Sequence, residues 1–296
     1  MLLYSFEEEV HHTISTFNLL SPGDHVALCV SGGKDSACLA EVVCILNRRY
    51  NYGAHLHLLC IDEGIKGYRD LSLKCVNQLQ QRLDLPLTIL SFNHIFGFTL
   101  DQAIQVSGHS KSCTICGSLR RRSLTKGAKQ IGSTKLCLGH NADDSAETVL
   151  LNLIRGDTQK LLSCSSSRTG GEDSSLITDV TRVRPFMRSF QKEIVLYCHF
   201  KKLPYFSTEC LYAHSALRGV ARSALLAVSQ NNSSAVLNLI DSAAQLKPLT
   251  EVQAENKRKI YRCSECDEVS VYHVCQTCCQ VNKIKEKLEL VEKVQS

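Results

Sequence analysis

Residues 26–36 read Val26-Ala-Leu-Cys-Val30 followed by Ser31-Gly-Gly-Lys-Asp-Ser36, and this junction decides the fold. An apolar run closed by a Ser/Gly loop predicts a short, fully buried strand. Past the loop, Cys38, Leu39, Val42, Val43 and Leu46 recur at helical spacing. Upstream, Leu3, Phe6, Val10, Ile14 and Phe17 predict an opening amphipathic helix within residues 1–22. Downstream, Leu56–Ile61, Leu87–Leu90 and Lys135–Leu138 are further strand candidates; Gly64 and Gly67 punctuate a loop, and Tyr68–Leu83 has a helical pattern. Strands alternating with helices predict an α/β fold with a doubly wound, mostly parallel sheet. Ligands on such sheets bind beyond the carboxyl ends of the strands, where the Ser/Gly loop falls.

The rest of the chain is read more coarsely. Gln191–Lys202, Ala216–Ala227 and Ala235–Leu246 are helix candidates, and the Ser/Gly-rich residues 163–178 predict a mobile surface loop. Residues 247–260 read as a polar linker and Lys283–Lys293 as a charged tail of mixed sign. The expected organisation is a main domain over 23–230, a helix and linker over 231–258, and a small C-terminal unit over 259–296.

Composition narrows the function classes. The 296 residues carry 34 Lys+Arg against 29 Asp+Glu, a net charge of +5 that permits a nucleic-acid partner without demanding one. No apolar run reaches the roughly 20 residues that span a bilayer, so a membrane protein is not expected. The first twelve residues carry acids where a secretory signal carries bases, so export is not expected either. Cysteine is the outlier, with 16 copies and no Trp. In a reducing compartment these are not a disulfide framework. Cys29, Cys38, Cys44, Cys60, Cys75, Cys137, Cys164 and Cys198 mostly sit in apolar patterns, as small core residues. The paired cysteines need a chemical explanation.

Ser31–Ser36 resembles a Walker A loop but fails twice: Leu28 stands at the first Gly position and Asp35 follows the Lys. A different phosphate loop fits. Gly32 and Gly33 let the backbone approach an anion, Ser36 lies at a helix start, and Lys34 can neutralise a leaving pyrophosphate. A plain strand–helix turn is the bland alternative, which SGGKDS at this junction disfavours. Gly139 can admit close backbone approach, while Asp143 and Asp144 can hold magnesium or merely complement a helix dipole. Glu147 reads as a solvated helix residue, Asp62 as a contact for an adenosine and His140 as a nucleotide contact; His11 and His12 read as surface residues.

Cys263-x2-Cys266-x8-Cys275-x2-Cys278 suits a closed, four-thiolate zinc site, with Cys279 as a spare. Cys113-x2-Cys116 is open between a redox pair, half a zinc site and ordinary cysteines. Cys210 lies far downstream of the pair; three thiolates would leave a four-iron cluster one open iron. Arg120, Arg121 and Arg122 beside that pair read as RNA phosphate contacts or charge balance, with Lys201, Lys202, Arg218 and Arg222 as weaker RNA candidates.

With these residues in place, SGGKDS resembles the PP-loop of the N-type ATP pyrophosphatases. Six further strings are similar to the cytoplasmic tRNA 2-thiolation proteins: Asp62–Asp70, Cys113–Arg122, Gly139–Thr148, Leu151–Asp157, Lys192–Tyr197 and Tyr205–Cys210. The resemblance runs from about Phe6 to the C-terminal cysteines. It implies a cytoplasmic, ATP- and Mg2+-dependent thiolase acting at C2 of the wobble uridine of Lys-, Glu- and Gln-type tRNAs. It also implies a second subunit and a thiocarboxylated ubiquitin-related carrier as partners. Cys113, Cys116 and Cys210 become iron–sulfur ligands (4Fe–4S) and, with Asp144 and Arg120, the catalytic set; structural Zn2+ occupies the C-terminal cysteines. Alternatives are cluster-free persulfide chemistry, a PP-loop RNA ligase without sulfur, and a non-catalytic RNA-binding scaffold. The sequence departs from the family pattern twice: members usually carry a zinc finger ahead of the first helix, where no Cys precedes Cys29 here, which puts tRNA affinity in question, and His214 stands where a Pro is usual.

Overall fold

The computed structural model describes residues 1–157, 160–161, 164–170, 180–208, 210–212, 217–246 and 260–295. Helix α1 (Leu2–Thr16) leads to β1 (His25–Cys29), α2 (Lys34–Arg49), β2 (His55–Asp62), α3 (Arg69–Leu83) and β3 (Leu87–Ser91). Then come α4 (Phe92–Phe96), α5 (Leu100–Ser107), α6 (Ser112–Gln130), β4 (Lys135–Cys137), α7 (Ala142–Arg155), β5 (Arg168–Thr169) and β6 (Thr181–Val183). The remainder is α8 (Gln191–Lys201), α9 (Leu217–Asn231), α10 (Ala235–Gln245), the hairpin β7 (Tyr261–Arg262) and β8 (Val269–Ser270), and α11 (Gln276–Gln295).

Among the described residues six strands form one sheet in the order β3-β2-β1-β4-β6-β5. All neighbours are parallel except β5 and β6. β1 is central: Val26 pairs with Leu56 on one side and with Lys135 on the other. The chain walks outward from β1 to β3, then returns to β4 on β1's other flank. The loops after β1 and β4 therefore diverge at their carboxyl ends, the switch point where such sheets bind ligands.

Each face of the sheet is covered because its helices carry one apolar stripe. On one face Val10, Ile14, Val42, Val43, Val76, Leu79, Ile194 and Tyr197 bury together, from α1, α2, α3 and α8. On the other, Leu59, Leu90, Phe92, Ile104, Ile115, Leu119 and Ile284 do so, from α4, α5, α6 and α11. Cys38, Cys44, Cys60, Cys137, Cys164 and Cys198 are buried, as expected of small core residues. Burial pushes the Cys44 and Cys60 thiols up to about 12, which leaves them protonated and unreactive.

Three features differ from the sequence reading. The Ser/Gly-rich segment contains β5, an antiparallel edge strand too short to leave a periodic signal; residues 162–163 and 171–179 lie outside the described residues. The charged tail is not a tail: α11 turns Val281 and Ile284 into the core beside α6, so its mixed charges are one face of an amphipathic helix. Phe17 leaves the apolar stripe, since the helix ends at Thr16 and its ring is 44% exposed. Residues 247–259 of the polar linker, and His214, lie outside the described residues.

Candidate functional site

The Ser31–Ser36 loop is built by its own backbone. Gly32 holds φ +77°, and a Cβ there would lie 2.7 Å from the Ser72 carbonyl oxygen, so no other residue fits. Ser72 Oγ donates to the Ser31 carbonyl at 2.9 Å, fastening α3 to the loop. Ser36 Oγ accepts from the Ser31 N–H at 3.1 Å and donates to the Gly33 carbonyl at 2.9 Å, closing the turn. The first capped bond of α2 runs from the Ala37 N–H to the Gly33 carbonyl at 3.1 Å. The N–H groups of Lys34, Asp35 and Ser36 precede it and are open to an anion, with the positive end of the helix dipole behind them. Lys34 Nζ rests 3.0 Å from Asp35 Oδ2.

The β4–α7 loop meets this turn from the other flank. A Cβ on Gly139 would sit 3.1 Å from the Asp35 backbone carbonyl, so the two loops touch through a glycine. Asn141, only 1% exposed, donates from Nδ2 to Asp35 Oδ1 at 3.2 Å. It also caps α7: its side chain accepts from the Asp144 N–H at 2.9 Å while Asp144 accepts from the Asn141 N–H at 3.4 Å. Burial raises the Asp144 carboxyl above its ordinary value, Arg218 opposes this, and Asp35 adds to it. Two carboxylates thus face one buried amide, a donor set that suits Mg2+, which takes few protein oxygens and keeps waters and substrate phosphates. Asp143 instead accepts from the Gln191 N–H at 2.7 Å and so tethers α8.

His140 lies at the centre of a cationic rim. Although His140 is exposed at the surface, the mass of protein around it, then Arg184, Arg218, Arg120 and Arg121, hold the imidazole down to about 4. Glu147 corrects the sequence reading: it is not solvated but 2% exposed, and it takes Arg218 Nε at 2.6 Å and Arg222 Nε at 2.7 Å. Arg218 and Arg222 are thereby committed to a carboxylate, because a buried charge requires a partner. Asp62 is 6% exposed, with Gly64 N–H at 2.9 Å and Arg69 Nε at 2.7 Å on its two oxygens.

The paired cysteines open α6. Cys113 is exposed and Cys116 half-buried, one turn apart, and Cys210 is half-buried on the segment that crosses the helix start. That segment is pinned by its Tyr212 carbonyl, which accepts from Ser112 Oγ at 3.5 Å and Cys113 Sγ at 3.6 Å. Tyr212 Oη donates in turn to Asp101 Oδ1 at 2.7 Å. Burial pushes the Cys116 thiol up to about 11; Arg120 opposes this, while Glu63, Cys210 and Cys113 add to it, so the three sulfurs share one local field. Arg120 bridges this field, with Nη2 3.5 Å from Cys116 Sγ and Nε 2.8 Å from Glu63 Oε1. Cys113, Cys116 and Cys210 thus bring three thiols to one helix start, the ligand type that iron–sulfur clusters take.

The remaining basic candidates are dispersed. Lys201 lies across the sheet in the α1/α8 layer, 3.6 Å from the buried Glu7, and Lys202 ends α8 with φ +51°. Arg121 is exposed. Arg122 points the other way, into the C-terminal cysteines. There the Sγ atoms of Cys263, Cys266, Cys275 and Cys278 all lie within 4.8 Å of one another. Cys263–Cys278 at 3.7 Å and Cys266–Cys275 at 3.8 Å match the roughly 3.8 Å edge of a tetrahedron with Zn–S of about 2.3 Å. Cys279 is exposed and turned toward the Val274 carbonyl, so Cys278 is the fourth member of the set.

The sequence reading missed Asn141, Glu63 and Ser72. Asn141 carries a legible signal, since an Asn followed three residues later by an acid at a helix start is a capping pattern. Glu63 had none, because its partner Arg120 is remote in sequence.

Comparison with known proteins shows the family to which the chain belongs. A PP-loop domain model matches residues 3–229. Cytoplasmic tRNA 2-thiolation protein 1 of Drosophila sechellia is 46% identical over 274 residues, covering 93% of this chain and 78% of that protein. The protein of the same name from Laccaria bicolor is 46% identical over 275 residues, covering 93% and 76%. Among solved structures, the U34-tRNA thiolase NcsA from Methanococcus maripaludis, with its 4Fe–4S cluster, shares the fold. Its TM-score is 0.75 at 22% identity, covering 95% of this chain and 88% of that one.

Proposed function

The chain belongs to the PP-loop family of cytoplasmic tRNA 2-thiolation protein 1, and from that membership we propose that it 2-thiolates the wobble uridine of cytosolic tRNAs, using ATP. One observation carries the reading. The Phe206 N–H donates to the Gly32 carbonyl at 2.8 Å, and the Tyr212 carbonyl, two residues after Cys210, accepts from Cys113 Sγ at 3.6 Å at the start of α6. The phosphate loop and the sulfur rim are thus two ends of one short strap.

The open N–H groups of α2 take the phosphates of ATP, and Lys34 leaves Asp35 to meet the departing pyrophosphate. Asp35 and Asp144 would hold the accompanying Mg2+, while Gly139 and the neutral His140 would line the nucleotide. The wobble base is splayed out of the anticodon stack to reach them. Its C2 oxygen attacks the α-phosphorus, the bond to pyrophosphate breaks, and C2 gains AMP as a leaving group. Sulfide, freed when water hydrolyses the thiocarboxylate of a ubiquitin-related carrier to a carboxylate, then adds to C2 and expels AMP. No electrons change hands. Cys113, Cys116 and Cys210 would hold a 4Fe–4S cluster, which would supply iron able to bind the sulfide. Arg120, steadied by Glu63, balances charge beside Cys116, and Arg121 is available to RNA phosphate. A structural Zn2+ on the four C-terminal cysteines, a second subunit, and Lys-, Glu- and Gln-type tRNAs complete the proposal.

Pyrophosphate release from ATP by the purified chain with its partner subunit tests it. Release should depend on substrate tRNA and be lost in Lys34→Ala. Release indifferent to tRNA would exclude the assigned substrate, and none at all would favour a scaffold.

A further inference from the structure

We propose that Arg122 is the outer hydrogen-bond donor of the C-terminal metal site and couples that site to the helix carrying the sulfur-transfer cysteines. The inference rests on the zinc reading given above. Arg122 Nη1 lies 2.8 Å from Cys278 Sγ and 3.6 Å from Cys275 Sγ. It has no carboxylate partner among the described residues; the thiolates are its counter-charge. Four thiolates around Zn2+ leave the site with a net charge of −2, and Arg122 offsets half of it. The other donors to these sulfurs come from the knuckle backbone, Cys275 N–H to Cys263 Sγ at 3.2 Å and Cys278 N–H to Cys275 Sγ at 3.3 Å. Arg122 therefore supplies what the ribbon lacks of its own, a charged donor from another element.

The consequence lies in what else α6 holds. Two residues before Arg122 on the same helix, Arg120 reaches back to Cys116 and Glu63. The helix is clamped to the C-terminal unit at two further points, Ser118 Oγ to Gln280 Oε1 at 2.5 Å and Lys129 to Glu268 at 3.1 Å. Val281 and Ile284 of α11 share a core with Ile115 and Leu119 of α6. A rigid helix thus has the metal at one side and the cysteine pair at its start. Metal occupancy fixes the guanidinium, the guanidinium fixes the helix, and the helix start positions Cys113 and Cys116. Arg122 is a positioning residue and touches neither nucleotide nor base. A polybasic RNA contact, the role its sequence neighbours suggest, is incompatible with this direction of its side chain.

The test uses the zinc-loaded 296-residue chain. Zinc release to a metallochromic chelator should be about 10- to 100-fold faster in Arg122→Gln, the usual cost of losing an outer partner of a metal ligand. Arg122→Lys should recover part of the loss, because it keeps the charge without the fork. The cobalt-substituted Arg122→Gln chain should show a shifted sulfur-to-metal charge-transfer band, a readout that simple loosening of the fold does not move. Hydrogen exchange over residues 112–120 should rise in Arg122→Gln and on zinc removal alike. Zinc release and cobalt spectra equal to wild type in Arg122→Gln would overturn the proposal. A wild-type chain that binds no zinc at the four cysteines would remove its premise, a failure distinct from a zinc site indifferent to Arg122.

Discussion

Asn141 Nδ2 donates to Asp35 Oδ1 at 3.2 Å, joining the first turn of α7 to the first turn of α2 at the switch point of the sheet. Both turns must be held at a fixed separation for phosphate and metal to sit between them. Asn141→Ala removes the bridge and the α7 cap, and should cost about 1 kcal/mol of stability. Asn141→Asp keeps the cap acceptor but sets a carboxylate against Asp35, so it should weaken ATP binding with a smaller loss of stability. Thermal melts paired with nucleotide titrations separate the two effects.

Glu147 is buried with two arginines whose outer ends reach solvent. Arg218→Ala combined with Arg222→Ala strands that carboxylate and should cost about 2–3 kcal/mol. Glu147→Gln should cost less, because the guanidinium groups can turn outward to water. Denaturant melts give the comparison. A double variant as stable as wild type, but weakened in tRNA binding, would return both arginines to the RNA-contact role.

His140, though exposed, is held at about 4 by the protein around it and by the surrounding arginines. The unfolded chain takes up that proton near the usual 6.5. Between those values the unfolded state binds more protons, so the His140 contribution favours unfolding progressively as pH falls from 6.5 toward 4. His140→Gln should therefore narrow the stability loss over that window and leave stability near pH 8 little changed. Melting temperatures of both proteins from pH 4.5 to 8 show the difference. An imidazole titrating near 6.5 by NMR would contradict the assigned surroundings.

Exposure sorts the thiols. Cys113 and Cys279 are exposed, whereas Cys38, Cys44, Cys60, Cys137 and Cys198 are buried. With zinc bound and no iron, brief alkylation followed by peptide mass spectrometry should label Cys113 and Cys279 first. Rapid labelling of the core cysteines would contradict the packing described.

The central strand, the phosphate loop and the four-cysteine set were legible because each is local: the residues that matter are consecutive or at fixed spacing. The same holds for α1, α2 and α3, whose apolar residues fall every third or fourth place. What was not legible depends on pairs remote in sequence. Glu63 meets Arg120, Glu147 meets Arg218 and Arg222, and Arg122 meets Cys278 only after the sheet is folded. A run of three arginines in sequence looks like one patch. On a helix successive residues point about 100° apart, so Arg120, Arg121 and Arg122 serve three different neighbourhoods. β5 and β6 failed for another reason, since two or three residues are too few to show a period.

The most direct test of the central claim is wobble 2-thiouridine, measured by nucleoside mass spectrometry in cells that lack this chain and are rescued with the 296-residue form or its Cys113→Ala variant. The account predicts restored 2-thiouridine with the first and none with the second, at equal expression and equal ATP binding. Restoration by Cys113→Ala would contradict the assigned sulfur centre, and restoration by neither would contradict the thiolase reading of this chain.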